Sequence, residues 1–239
     1  MRRPVQTLLP ALTGAGLLHI TLFTDTYLRY VKAGLRPLLL ASGAVLLLLG
    51  LAAALSRDPG QGHHGHDHPG PPRIAWLLLL PALSLLLWTP PAFGAYTAAR
   101  SDVQPLAARK KGFAPLPATS PLPLTLTEFT RRVQQDDSGA IRGRTVRLTG
   151  FVTPAPAGDG WYLTRIVFTC CAADSQTVKV RVHGTPAPPA DTWLAVTGTW
   201  HPGGTLGTRT APAALDVRRT SRIAPPVNAY TDDLPITPG

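Results

Sequence analysis

Hydrophobic positions fall into two regimes along this chain. In the first hundred residues they form continuous blocks. Val5 to Thr24 is a run without Asp, Glu, Lys or Arg, Leu38 to Leu55 has Ser42 as its one polar side chain, and Ile74 to Phe93 is again uncharged. At about 1.5 Å rise per residue, runs of this length cover a hydrocarbon core of roughly 30 Å. The pattern predicts three membrane helices, at about 5–24, 37–55 and 74–93. Trp76 and Trp88 bracket the third as an interfacial belt would, and Pro81 inside it is tolerated in a membrane helix. The first block also has the basic start of a signal peptide, Arg2 and Arg3, but no small-residue cleavage site follows it. Instead Tyr27, Arg29, Tyr30 and Lys32 follow, residues suited to a membrane interface.

From Thr125 the period changes. Thr127 is expected to cap a short helix running to about Gln135, with Phe129 and Val133 on one face. Strands are expected at Thr145–Thr153, Trp161–Thr169, Thr177–Val182 and Trp193–Trp200, where apolar and polar residues alternate or β-branched and aromatic residues dominate. AGDG, HGTPAPP and HPGG between them are turn chemistry. Residues 125–223 therefore read as a small mainly-β domain with one short helix. An OB-like barrel is the first choice, with an SH3-like barrel or a sandwich as alternatives. Residues 101–124 read as a proline-rich basic linker and 224–239 as a flexible tail.

Composition sharpens this division. The 239 residues carry Lys+Arg 23 against Asp+Glu 13, a net charge of +10, yet charged residues make up 15%. That excludes a disordered polyelectrolyte, and the length excludes a large multidomain enzyme. The cations are scattered and several lie near the apolar blocks, which favours membrane lipid as their partner over nucleic acid. Arg29, Lys32, Arg36, Arg100, Arg109, Lys110 and Lys111 fall on one predicted side, against Arg2, Arg3, Arg57 and Arg73 on the other. The excess places the C-terminal domain in the cytoplasm of a multi-pass cell-membrane protein.

Two groups of residues carry candidate chemistry. Cys170 and Cys171 are adjacent, so a disulfide between them needs a strained eight-membered ring; free thiols or a metal site are the better readings. With Asp174 they offer thiolate and carboxylate ligands of the kind zinc accepts, and His183 and His201 are candidates to complete the set. The second group is His63, His64, His66 and His68, dense imidazoles in a loop at 56–73 that has no large apolar residue. The bland alternatives are small buried cysteines and a solvated low-complexity loop. No Walker loop, nucleophile elbow or dinucleotide fingerprint occurs, and no enzymatic activity is expected.

The three apolar blocks, the histidine-rich loop, Gly150-Phe151-Val152 and then Arg165 to Cys170-Cys171-Ala172-Ala173-Asp174 resemble the YcgQ-like family of bacterial membrane proteins. The resemblance spans nearly the whole chain and is most specific at the Cys-Cys-Ala-Ala-Asp stretch. It implies a subunit or partner of a multi-spanning permease, with zinc homeostasis as the process. It carries over Arg165, Cys170, Cys171 and Asp174 as a signature, with the role of Arg165 unassigned and no catalytic mechanism. Ser175 departs mildly from the small residue usual at that place. The rivals are a docking module in which the cysteines merely pack and a membrane-tethered thiol enzyme.

Overall fold

The computed structural model describes residues 3–55, 92–101, 106–107, 112–156 and 160–234. Within them the chain divides into two units, each considered separately. One holds the apolar helices up to Leu22 and from Leu38; the other holds Phe23–Pro37 and the chain from Phe93 onward.

In the first unit, α1 (Arg3–Leu22) and α2 (Arg36–Leu55) are formed by the first two apolar blocks. Three of their hydroxyls bond within their own helix: those of Thr13, Thr21 and Ser42 donate to the carbonyls of Leu9, Leu17 and Leu38. The helices meet through small residues. A Cβ on Gly14 would lie 2.6 Å from the Gly43 carbonyl oxygen, and one on Gly50 would lie 2.8 Å from the Ala11 Cβ. Small residues let two backbones approach where leucine side chains would hold them apart. Leu18 packs against Gly43 at this contact, whereas Leu12, Leu38, Leu48 and Leu55 are exposed. Among the described residues one helix, Ala33–Leu55, is long and apolar enough to cross a membrane; Leu8–Leu22 is a shorter apolar helix. The third predicted span, apart from its last two residues, and the histidine-rich loop lie outside the described residues.

The second unit is built on a six-stranded sheet: β1 (Leu122–Pro123), β2 (Thr145–Pro154), β3 (Trp161–Val167), β4 (Gln176–His183), β5 (Trp193–Trp200) and β6 (Ala214–Arg222). The order is β1-β2-β3-β4-β6-β5, and β5 also pairs with β2, so the ladder from β2 returns to its start. Neighbours run antiparallel except β1 with β2 and β4 with β6. This closing of the ladder depends on glycine. A Cβ on Gly150 would sit 2.6 Å from the Thr164 carbonyl oxygen, and one on Gly198, at an irregularity in the β5–β6 register, 2.2 Å from that of Asp216. The sequence pattern announces neither the two-residue β1 nor β6; in β6 only the first two residues are buried, and the rest, through Arg222, carry the polar pattern of a surface loop.

Before the sheet, α3 (Ala95–Arg100) and α4 (Leu126–Gln135) complete the elements used below. The cap of α4 is Thr125, whose hydroxyl accepts the Glu128 N–H at 3.0 Å, rather than the expected Thr127. The reason is register: Leu126, Phe129 and Val133 all face the core, which requires helical geometry from Leu126. They close over Val146, Leu148, Trp161, Leu163, Val180, Val196 and Leu215. Burial of each such side chain contributes roughly 1.5–3 kcal/mol.

Two segments expected to be peripheral belong to this unit. Leu116, Leu122 and Leu124 of the predicted linker pack on the core, and β1 lies parallel to β2. The predicted tail is anchored too: Tyr230 is 5% exposed, and the Asp232 carboxylate accepts the Thr127 N–H at 3.0 Å. A second apolar cluster joins Phe151, Ile166, Phe168, Tyr230 and the alanines of α3. The Tyr230 ring, stacked on Phe168, and its hydroxyl, which donates to the Phe93 carbonyl at 3.0 Å, hold this segment in place.

Candidate functional site

The cysteines lie beyond β3 rather than on it. β3 ends at Val167 and Phe168 is buried against Tyr230, their rings stacked 4.5 Å apart; the Phe168 N–H donates to the Tyr230 carbonyl at 3.0 Å. From Thr169 the chain leaves the sheet and turns through a short 3₁₀ segment, Ala172–Asp174. The alternation that would put neighbouring strand side chains on opposite faces therefore does not apply here. Cys170 Sγ, Cys171 Sγ and an Asp174 carboxylate oxygen all lie within 4.8 Å of one another.

Asp174 organises this turn. Its Oδ1 accepts the backbone N–H of Thr169 at 3.0 Å and of Cys171 at 3.2 Å, and its Oδ2 accepts that of Cys170 at 2.7 Å. Cys171 in turn accepts the Asp174 N–H at its sulfur, a reciprocal capping box. Three donors converging on one carboxylate stabilise its charged form, and Asp174 is held below the usual carboxylate range, chiefly by the hydrogen bond from the Cys170 thiol. The same bond acts oppositely on the donor. The Cys170 thiol is pushed up to about 11 by donating to Asp174 and by its contact with Cys171.

The turn is also tied to the segment that leads into α2. Val31 and Cys171 form an isolated antiparallel bridge. The Lys32 N–H donates to the Cys170 carbonyl at 2.9 Å and the Ala172 N–H to the Tyr30 carbonyl at 2.8 Å. Both thiols are free, with Cys170 exposed and Cys171 half-buried.

Arg165 is placed elsewhere. It is 3% exposed, donates to the Thr231 carbonyl and lies 5.0 Å over the Trp193 ring. Burial pushes its pKa down, against the opposing pull of Asp232 and Asp233. Its contacts fasten the C-terminal segment to the sheet. The perturbation of Cys170 comes from Asp174 and Cys171 instead.

His183 and His201 do not complete the cysteine site. β4 begins at Gln176, just past the turn, and runs to His183, so about 23 Å of strand separates them. The two histidines do meet each other, with ring centroids 4.2 Å apart. His63, His64, His66 and His68 lie outside the described residues.

The cysteine turn offers two sulfurs and one oxygen on one exposed surface. Zinc–sulfur distances of about 2.3 Å and zinc–oxygen distances of about 2.0–2.2 Å put tetrahedral ligands roughly 3.3–3.8 Å apart, a spread the 4.8 Å limit accommodates. Such a set leaves one coordination position open. Sequence reasoning found the three residues; it missed Tyr30, Val31, Lys32 and Tyr230, whose backbone groups hold the turn and which carry no chemical signature.

Residues 129–231 match the family model of the DUF1980 C-terminal domain, an uncharacterised family. The match takes in the cysteine turn, the histidine pair and the Tyr230 anchor. No curated protein and no solved structure matches the chain.

Proposed function

We propose that this protein is a membrane-anchored accessory subunit in which Cys170, Cys171 and Asp174 hold a soft divalent cation, zinc foremost, and pass it to or from a multi-spanning permease. The observation that carries this reading is the convergence of two free thiols and a carboxylate within 4.8 Å on an exposed turn. Three protein ligands and an open fourth position suit exchange better than a closed structural site would. The thiol that hydrogen-bonds Asp174 occupies the gap a cation would bridge, so the metal replaces a proton there. Attachment of the turn to residues 30–32, just ahead of α2, supports a role close to the membrane.

The rest of the reading follows from the pattern. The three apolar blocks support a multi-pass topology with the C-terminal domain cytoplasmic, where thiols stay reduced. The returning ladder with one parallel pair, β4 with β6, supports an OB-like barrel. The family match and the Cys-Cys-Ala-Ala-Asp stretch support kinship with YcgQ-like proteins. The histidine-rich loop serves as a weak, unselective collector of the same ion. A raised Cys170 pKa counts against the thiol-enzyme alternative, since the thiolate is the nucleophile.

The docking-module reading has its own support: every contact of Arg165 and three backbone bonds of Asp174 are structural. Metal content separates the two. The full chain, purified anaerobically in detergent with the four loop histidines replaced by alanine, is analysed by elemental mass spectrometry. Zinc that is lost with Cys170→Ser and Cys171→Ser supports metal handling; zinc content indifferent to both substitutions favours the docking module.

A further inference from the structure

Across β2, β5 and β6 the outward face of the sheet is basic. Arg147 on β2 lies opposite Thr197 on β5, and Thr197 lies opposite Arg219 on β6, so both arginines share one face with a threonine between them. Two interstrand spacings put their Cα atoms about 9.6 Å apart. The register irregularity at Thr197/Gly198 leaves Arg218 as an extra residue beside Arg219. All three arginines are exposed, whereas Val146 and Leu148 on either side of Arg147 are buried. Among the described residues none of the three has a carboxylate partner. The acid in the neighbouring row, Asp216 opposite Thr199, is turned to the His201 Nδ1 at 2.7 Å.

Protection of an exposed edge accounts for charge on β6, because β4 pairs with it only at Ala214–Asp216 and the remainder has β5 alone. It does not account for Arg147. There β2 is paired on both sides, with Pro123 of β1 and Thr197 of β5. Like charges on one sheet face repel, so a bound anion stabilises this row. Every cation in it is a guanidinium, whose fork matches phosphate oxygens as an ammonium does not. The row of Arg147 and the rows of Thr145 and Thr149 beside it present no aromatic ring on which a base could stack, which argues against single-stranded nucleic acid. An anionic bilayer is the polyanion within reach, since this unit's own segment Phe23–Pro37 runs into the apolar helix that ends at Leu55.

We propose that Arg147, Arg218 and Arg219 form a docking surface for the phosphate headgroups of an anionic bilayer. The proposal rests on the reading of α2 as a membrane anchor and not on the cysteine site. Phosphates bridge the like-charged row, and the threonine between the arginines leaves the face flat enough for headgroups to reach both.

The test reconstitutes the full chain into nanodiscs of phosphatidylcholine, with or without phosphatidylglycerol. Both leaflets of a disc have one composition, so the result does not depend on the side the unit faces. Phenylglyoxal modification, read residue by residue by peptide mass spectrometry, should slow at Arg147, Arg218 and Arg219 in the anionic discs and recover at high salt. Equal rates in the two discs overturn the proposal. Equal protection in neutral discs by inorganic phosphate or by an oligonucleotide also overturns it, in favour of a soluble anion or nucleic acid. A chain that enters neither disc overturns the anchor and this proposal together and leaves the cysteine site untouched. A second reading places an environment-sensitive fluorophore on Thr197→Cys, with Cys170 and Cys171 replaced by Ser. Phosphatidylglycerol should shift its emission, and the docked-to-free ratio should fall about fivefold for each of Arg147→Gln and Arg219→Gln. A shift that ignores both substitutions overturns the assignment.

Discussion

Val31 and Cys171 face each other in an antiparallel bridge, so a residue just ahead of the apolar helix α2 shares backbone bonding with the turn that carries both thiols. The flanking bonds, Lys32 N–H to the Cys170 carbonyl and Ala172 N–H to the Tyr30 carbonyl, make this a two-sided clamp. These bonds run directly between the turn and Tyr30–Lys32 and involve no strand of the sheet. The clamp thus joins the ligand turn to Tyr30–Lys32 by backbone bonds within one unit.

Replacing Asp174 by Asn removes the charge that holds the Cys170 proton. The Cys170 pKa should fall from about 11 toward the ordinary thiol value of 9.0. Alkylation by iodoacetamide as a function of pH reads this directly, with peptide mass spectrometry separating Cys170 from Cys171. An unmoved titration would show that Asp174 is not the thiol's partner.

Zinc affinity should rise with pH. A thiol whose pKa is about 11 is protonated throughout the neutral range, so binding must release that proton. One proton released corresponds to about tenfold in affinity per pH unit, or about 1.36 kcal/mol. Competition with a chromophoric chelator between pH 6.5 and 8.5 gives the slope, and Cys170→Ser should reduce it by about one proton. The folding contribution has a related sign. A raised thiol pKa adds stability that is present below pH 9.0 and is lost as pH rises through about 11, so the turn should loosen there.

Arg165→Met should destabilise the sheet unit by about 1–3 kcal/mol, since it leaves the buried Thr231 carbonyl without its donor. Arg165→Lys should recover little, because an ammonium cannot both reach the carbonyl and lie flat over Trp193. Urea denaturation monitored by tryptophan fluorescence measures both. Tyr230→Ala, which removes the ring stacked on Phe168, should cost about 3–5 kcal/mol by the same assay and speed alkylation of Cys170.

Gly50→Val should disturb the α1–α2 contact, because a Cβ there meets Ala11 at 2.8 Å. The expected loss is about 1–3 kcal/mol. Leu49→Ala, on an exposed position of the same helix, is the control and should be near neutral in detergent. Thermal unfolding followed by circular dichroism compares them; equal midpoints would remove the glycine contact from the account.

What was legible in the sequence was whatever depends on period and neighbours. Apolar length announced α1 and α2, alternation announced β2 to β5 within two residues at each end, and β5 fell at Trp193–Trp200 as expected. Cys170, Cys171 and Asp174 were recognisable together because five residues of chain contain all three, and a turn needs no distant partner to gather them. The helix cap slipped from Thr127 to Thr125 because the core face, not the cap, set the register.

What the tertiary structure alone decided was convergence. β6 was hidden by its exposed residues, Arg165 acquired its role from a carbonyl in the C-terminal segment, and His183 and His201 were brought to each other rather than to the cysteines. Each of these depends on which strand lies beside which, and strand order is set by the summed burial of the whole core and the backbone bonds it permits. A single sequence displays the period of each strand but not its neighbour, because period is local and pairing is not.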